Sequence, residues 1–470
     1  MKICIHCFGP IYHYEFDLDK DFHLIVGENS MGKSYAITLV YLIIKGFLSV
    51  ESHNLTSVFF DGAVKAGSLS EGLNERLSQV GERKSVDVKR FVEAGLRNLL
   101  NGSFLSRLQA SVDGTFDSDS VLKNQHSDED FQVVIEAQAC SITLSLEDKR
   151  LSISRVSVNS QYLVRVVRTN RSPTTTRTGR TIYHNLNSPN LIDLNFADEI
   201  IRLLSEVADE VFERCATIHY LPASRSGLYQ ALSAFGQIVA ELSKSRAFIT
   251  RRIDLPNISE PLSDYFLKLS NITVQTRRFA DSKLDAIASG IEDDILGGKV
   301  EFDSKTKRIM FRPGKTTLRL DLSVTSSMVS ELSPIVTYLR YILTEPTRRS
   351  VASRKRETIL QSLIIIEEPE AHLHPKVQVK LVEQFAALTK LGVKVVITSH
   401  SNFVFNKASN LVIADKFSPA KVAATLFRME THGSVGKRLA IDAYGIDDEN
   451  FVDTSESLFI EKSDLVTSHA

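Results

Sequence analysis

Tryptophan is absent from this 470-residue chain, and only four cysteines are present. The missing indole excludes nothing by itself. The scarce thiols exclude a disulfide-held scaffold and point to a reducing compartment, so the cytoplasm is expected. No apolar run approaches the roughly 18 residues that a membrane-spanning helix needs, and no charged-then-apolar leader is seen, so no membrane partner is expected. An excess of either charge is also missing: 56 lysines and arginines stand against 57 aspartates and glutamates, a net charge of −1. The whole molecule therefore has no strong field for nucleic acid or membrane, and any DNA contact must be a local patch. What the chain does have is 43% apolar residues. That is enough for two or three domains, or for one large core with an inserted lobe.

The most informative stretch is 22–34, FHLIVGENSMGKS. An apolar run leads into Gly27, Glu28, Asn29, Ser30, Met31, Gly32, Lys33 and Ser34, which fit the spacing Gly-x4-Gly-Lys-Ser. The pattern has a mechanism. A strand delivers the chain to a tight loop whose N–H groups close on a phosphate, and a helix starting there adds its dipole. Residues 35–47, YAITLVYLIIKGF, are apolar enough for that helix, with Gly46 as its expected stop. Lys33 then reaches the β- and γ-phosphates, Ser34 ligates Mg²⁺, and Gly27 and Gly32 allow close backbone approach.

A second stretch, 363–375, reads LIIIEEPEAHLHP. Four apolar residues predict a buried strand that delivers Glu367 and Glu368 at its carboxyl end, where ligands sit in open α/β sheets. One carboxylate can hold the metal shell while the next orients and deprotonates the attacking water. Another buried strand is predicted over 393–398 and ends in Ser399-His400-Ser401, which offers His400 to a γ-phosphate or to the water. Arg225 lies on the loop after the apolar segment 216–221, where an arginine meets either a phosphate or a carboxylate. The hydroxyl-rich segment 325–334 opens a helix, and its side chains can cap that helix or donate to a phosphate.

The remainder sets the frame. Residues 1–19 read as two strands about a Gly9-Pro10 turn. Cys4 and Cys7 have metal-like spacing, but Cys140 and Cys215 are too scattered to complete a four-cysteine site, so ordinary thiols are expected. A weakly helical region over 51–125 precedes alternating segments over 131–167, which predict an antiparallel meander. Residues 171–180 form a basic, threonine-rich loop and 346–357 a basic connector, both solvated by default. Three short alternating segments within 299–322 predict a small meander.

Together these motifs resemble the ABC-type ATPases of the RecF, SMC and overcoming-lysogenization-defect branch, over about 1–50 and 215–415. CFGPIYHYEFDL resembles the family's N-terminal hairpin, GENSMGKS its Walker A loop, IIIEEPEAHLHP its Walker B strand with the distal loop, and TSH its switch histidine. The resemblance implies an α/β fold: a P-loop ATPase head with an N-terminal antiparallel β-subdomain and an inserted helical lobe. The parts are 1–50 (first half of the head), 51–214 (insertion), 215–228 (core strand and arginine loop), 229–297 (helical lobe), 298–415 (second half of the head) and 416–470 (extension). It implies ATP and Mg²⁺, the metal held by Ser34 and Glu367, with Glu368 and His400 catalytic. It also implies an ATP-sandwiched dimer or higher homo-oligomer, closed by a signature segment over 326–331. There Ser327 takes the phosphate-contacting place, Met328 stands where the family has glycine, and Glu367 replaces the commoner aspartate.

A stand-alone ATPase of this branch is similar to the ATPase subunits of two-gene antiphage systems such as PARIS, Septu and some retrons. That similarity implies a separate TOPRIM- or HNH-type nuclease effector, a phage-encoded trigger and slow hydrolysis. Segment 458–464, LFIEKSD, faintly resembles the first TOPRIM strand but reads as a C-terminal tail. The basic segments leave a RecF- or SMC-like DNA clamp as the alternative, with nucleic acid as its partner. A transporter motor is set aside because no Gly-rich signature is found.

Overall fold

The strand Phe22–Gly27 is buried along its whole length. A strand covered on both faces has no reason to alternate, which is why FHLIVG is a continuous run. In the computed structural model two parallel strands flank it. Lys394–Ser399 runs from Val395 opposite Phe22 to Ser399 opposite Val26, and Val422–Glu430 pairs from Val422 opposite Phe22 to Phe427 opposite Gly27. Outside Lys394–Ser399 comes Ser362–Glu367, parallel to it with Glu367 opposite Thr398, and then Thr217–Leu221. One strand thus separates the P-loop strand from the acidic strand. Register sets Glu367 level with Thr398, and Thr398 level with Ile25, so the functional termini of all three strands finish together.

The structure describes residues 1–50, 85–116, 122–176, 179–185, 191–231, 258–272, 283–304, 306–343, 361–448 and 453–468. They form two compact units. One comprises Met1–Asp19, Tyr35–Ile218 and Glu430–Ser434, and the other Lys20–Ser34, His219–Met429 and Val435–Ala470.

In the second unit, the parallel strands are covered by an apolar cluster drawn from Ser327–Thr337, Pro375–Lys390 and Asn402–Ile413. Each of these helices starts on a side-chain cap. Ser326 accepts from Val329 N–H, His374 from Lys376 N–H, and Ser401 from Phe403 and Val404 N–H, which fixes where the chain turns after each core segment. The small meander forms from Gly298–Asp303, Arg308–Pro313 and Leu320–Asp321. Arg340 joins it to the helical segments by donating to Asp285 at 2.6 Å, Glu292 at 2.7 Å and Val300 O at 3.1 Å.

The first unit is built on alternation. Ile11–Asp17, Lys2–Phe8, Gln132–Glu136, Cys140–Glu147 and Arg150–Val158 pair antiparallel in that order. Two expectations need correction here. The segment Gln161–Val167 does not continue the meander but pairs parallel with Gly179–Asn185 and antiparallel with Ser85–Asp87 in another sheet. Alternation marks a half-buried strand and says nothing about its neighbour. Gly46 does not stop its helix, which runs Lys33–Leu48. A Cβ at Gly46 would lie 2.9 Å from Phe104, so this glycine makes room for a ring that stacks on Phe47 at 4.2 Å.

The expected basic loop is partly a strand: Thr174–Thr175 pairs with Thr181 and Arg180. The connector 346–357, residues 51–84 and 232–257 lie outside the described residues. Segment 458–464 falls within the helix Asp453–Ser468 rather than a strand. No described helix is long and apolar enough to cross a membrane.

Candidate nucleotide site

The loop after Phe22–Gly27 alternates backbone handedness. Ser30 has φ 63° and Gly32 φ 81°, a conformation that turns successive N–H groups inward on an anion. Gly27 has φ 144°, and a Cβ there would lie 2.5 Å from Phe427 O. No other residue fits between these two strands. Lys33 opens the helix and is buried, its Nζ donating to Gly27 O at 2.9 Å and Glu28 O at 2.6 Å. Burial pulls its pKa down to about 8, against the opposing pull of Glu368 and Glu370. Those two carboxylates therefore act on the loop's lysine. Ser34 is exposed beside it, as are Glu28, Asn29 and Ser30, while Met31 is half-buried.

At the end of Ser362–Glu367 the two glutamates part. Glu367 is buried, with Oε1 accepting from Tyr220 Oη at 2.5 Å and Oε2 from Ala223 N–H at 3.2 Å. A carboxylate offers about four lone-pair sites, so two bonds fix its orientation without exhausting it. Glu368 sits in the left-handed region at φ 41°, its N–H held by Thr398 O at 3.1 Å and Thr398 Oγ1 at 3.2 Å. A glutamate in that conformation costs on the order of 1–3 kcal/mol and persists only where the surroundings impose it. The turn sends its half-exposed carboxylate to His400 Nε2, 3.5 Å away. The bond from His400, aided by the charges of His400, Lys33 and Arg225, holds the Glu368 carboxyl below its usual range despite partial burial. It is therefore ionised at neutral pH and able to accept a proton.

Sequence reasoning missed Glu370. Its Oε1 accepts from Ser399 Oγ and from His400 N–H, both at 2.7 Å, which locks the turn that carries the histidine. Burial raises its pKa, and its Oε2 has no hydrogen-bond partner among the described residues. The only signal was a third acidic residue in EEPE, which nothing distinguished from a solvated one.

Arg225 meets a carboxylate, the second of the two partners that sequence allowed. It is fully buried, with Nη2 3.2 Å from Glu331 Oε2. Its remaining donors go to main-chain oxygens: Glu331 O at 3.2 Å, Pro222 O at 3.0 Å, Glu367 O at 2.6 Å and Glu368 O at 3.3 Å. Ser226 adds Oγ to Glu331 Oε1 at 2.7 Å. Arg225 is thus a staple between the acidic turn and the helix Ser327–Thr337. At that helix's start Ser326 and Ser327 are exposed, whereas Met328 packs against the apolar cluster.

Parallel strands, a phosphate-shaped loop, a lysine at its helix and a Glu–His pair thus share one sheet end of an α/β fold, an arrangement suited to holding an anion. A family model described as "AAA domain, putative AbiEii toxin, Type IV TA system" matches residues 296–406. Among solved structures, the chain is similar to an SMC head bound to the C-winged helix domain of ScpA, at 10% identity and TM-score 0.37 over 94% of this chain and 98% of that one. It is similar to the SMC head domain of Thermotoga maritima at 10% identity and TM-score 0.36, over 94% and 98%. A third is an SMC head with an extended coiled coil bound to a ScpA C-terminal domain derived from Pyrococcus furiosus, at 10% identity and TM-score 0.37, over 98% of each chain. No curated protein matches the chain.

Proposed function

We propose that this chain binds ATP and hydrolyses it slowly, using nucleotide binding as the switch of a homo-oligomer that controls a separate toxic effector in antiphage defence. The observation that carries the ATPase reading is the convergence of Lys33, Glu368 and His400 at one sheet end, where the two acids of the turn act on the lysine. Backbone N–H groups of 27–33 receive the phosphates, and Lys33 leaves its loop carbonyls to donate to the β- and γ-oxygens. Ser34 and Glu367 would hold Mg²⁺, which would supply charge neutralisation for the transferred phosphoryl group. Glu368, ionised, accepts the proton of the attacking water, and His400 orients that water or the γ-phosphate. Ser327, exposed at a helix start, donates to the nucleotide on a second copy's P-loop.

The defence setting is supported by the family description, which names a toxin of a type IV toxin–antitoxin system. The effector we propose is a TOPRIM- or HNH-type nuclease, released or licensed when a phage-encoded trigger binds. A DNA clamp draws less support: Arg180 pairs with buried Glu199 at 2.7 Å, and Arg171 lies over the Tyr183 ring at 5.9 Å.

Steady-state hydrolysis and nucleotide binding test the chemistry. Lys33→Ala should abolish ATP binding. Glu368→Gln should keep ATP bound, accumulate a closed oligomer and lower turnover on the order of 10²- to 10⁴-fold; unchanged turnover would remove Glu368 as the base. Co-purification with a nuclease encoded beside it tests the effector, while a steep salt slope on duplex DNA would favour the clamp.

A further inference from the structure

His6 and Cys7 are neighbours on the strand Lys2–Phe8, where successive side chains ordinarily face opposite ways. Cys7 breaks that rule. Its φ is 51°, and the ladder with Ile11–Asp17 passes over it, pairing His6 with His13 and then Phe8 with Ile11; the ladder with Gln132–Glu136 ends at His6 opposite Gln132, and Phe8 forms a separate bridge with Lys123. As a result a His6 ring nitrogen, Cys7 Sγ and a Glu129 carboxylate oxygen all lie within 4.8 Å of one another.

Glu129 comes from a distant segment that is tied to the same hairpin. Asn124 Nδ2 donates to Ile11 O at 3.1 Å and His432 O at 3.2 Å, while its Oδ1 accepts from His126 N–H at 2.7 Å. Gly9 N–H donates to Leu122 O at 2.9 Å. Ser127 Oγ accepts from Glu129 N–H at 3.1 Å, and Tyr12 Oη donates to Glu129 Oε1 at 3.0 Å. Tyr12 thereby turns Oε2 toward His6 Nε2, 2.6 Å away. The thiol is buried, the imidazole half-buried and the carboxylate exposed, so the cluster is closed behind and open in front.

We propose that His6, Cys7 and Glu129 bind one divalent d-block cation, zinc above all, through three protein ligands with a fourth position open to solvent. One nitrogen, one sulfur and one oxygen suit zinc, whereas calcium and magnesium take oxygen ligands only. Tetrahedral zinc needs its donor atoms about 3.5 Å apart, so a small contraction of the cluster suffices. Tyr12 supplies the outer hydrogen bond that orients a ligating carboxylate. On binding, the Cys7 thiol gives its proton to solvent, the proton on His6 Nε2 that Glu129 had accepted leaves that nitrogen through solvent so that the neutral ring carries its single proton on Nδ1, and the His6–Glu129 hydrogen bond is replaced by two bonds to the metal. The site owes nothing to the nucleotide reading and stands or falls apart from it.

The test uses the full chain, stripped with a chelator and titrated with Co²⁺ as the optical probe. One equivalent should produce a thiolate-to-cobalt charge-transfer band that one equivalent of Zn²⁺ removes. Cys7→Ser should abolish the band and Cys4→Ser should keep it. Glu129→Gln, at an exposed position that leaves the core intact, should weaken Zn²⁺ by at least about tenfold. Absence of the band in the natural sequence, a band that survives Cys7→Ser or is lost with Cys4→Ser, or unchanged affinity in Glu129→Gln would leave only an ion pair beside a buried thiol and overturn the site.

Discussion

The strands beside the P-loop and those of the hairpin and meander obey different rules. Phe22–Gly27, Ser362–Glu367 and Lys394–Ser399 are buried at every position, while Gln132–Glu136 and Arg150–Val158 mix buried and exposed positions along their length. A strand covered on both faces cannot place chemistry along its length without stranding a polar group. Its candidate site residues must come at the terminus, and they do: Gly27, Glu367 and Glu368, Ser399 and His400. A half-covered strand can carry polar donors on its open face, as His6 does.

The sharpest way to break this contrast is to remove what holds the strand termini. Arg225→Ala leaves Glu331 as an unpaired buried charge and should cost about 3–5 kcal/mol in denaturant unfolding, with turnover falling in step. If stability holds, the termini do not depend on that guanidinium. A second comparison sets Ile366→Ala, on a doubly buried strand, against Arg155→Ala on an exposed position of the meander. The first should lose about 2–5 kcal/mol and the second at most about 0.5. Similar losses would erase the distinction. Gly46→Ala pushes a methyl into Phe104 and should cost about 1–3 kcal/mol by thermal unfolding; a neutral result would show that Phe104 yields to the methyl and that the close approach demands no glycine.

The smallest effect concerns pH. Lys33 titrates near 8 in the folded protein against an ordinary 10.5. Below pH 8 it is protonated in both states and its burial costs the folded form. That cost fades between 8 and 10.5, where the unfolded chain holds more protons. Lys33→Met should therefore raise the stability of nucleotide-free protein at neutral pH by about 1 kcal/mol, net of the two carbonyl bonds lost, and flatten its rise with pH. A stability–pH curve that is the same with and without Lys33 would show that the loop carries no such burden.

The site was legible where chemistry demands contiguous residues or an abrupt end to an apolar run. Gly-x4-Gly-Lys-Ser is contiguous because one loop must wrap one phosphate. Glu368 and His400 announced themselves by terminating buried runs, and Ser326 by opening a helix. The rest depended on contacts between distant residues. Nothing local distinguishes Glu370 from a surface acid until Ser399 and His400 arrive beside it. Arg225 could be narrowed to two partners, but Glu331 lies 106 positions away. Likewise, alternation in Gln161–Val167 identified a strand and could not reveal that its parallel partner was Gly179–Asn185.

One consequence of the Arg225 staple concerns mechanics. A single guanidinium grips the helix that begins at Ser327 and the two carbonyls from which Glu367 and Glu368 hang, with no solvent layer between. A load applied at the exposed serines must either drag the acidic corner with it or snap a desolvated ion pair. The joint is stiff rather than compliant, and it makes the acidic corner report on whatever presses against the exposed start of that helix.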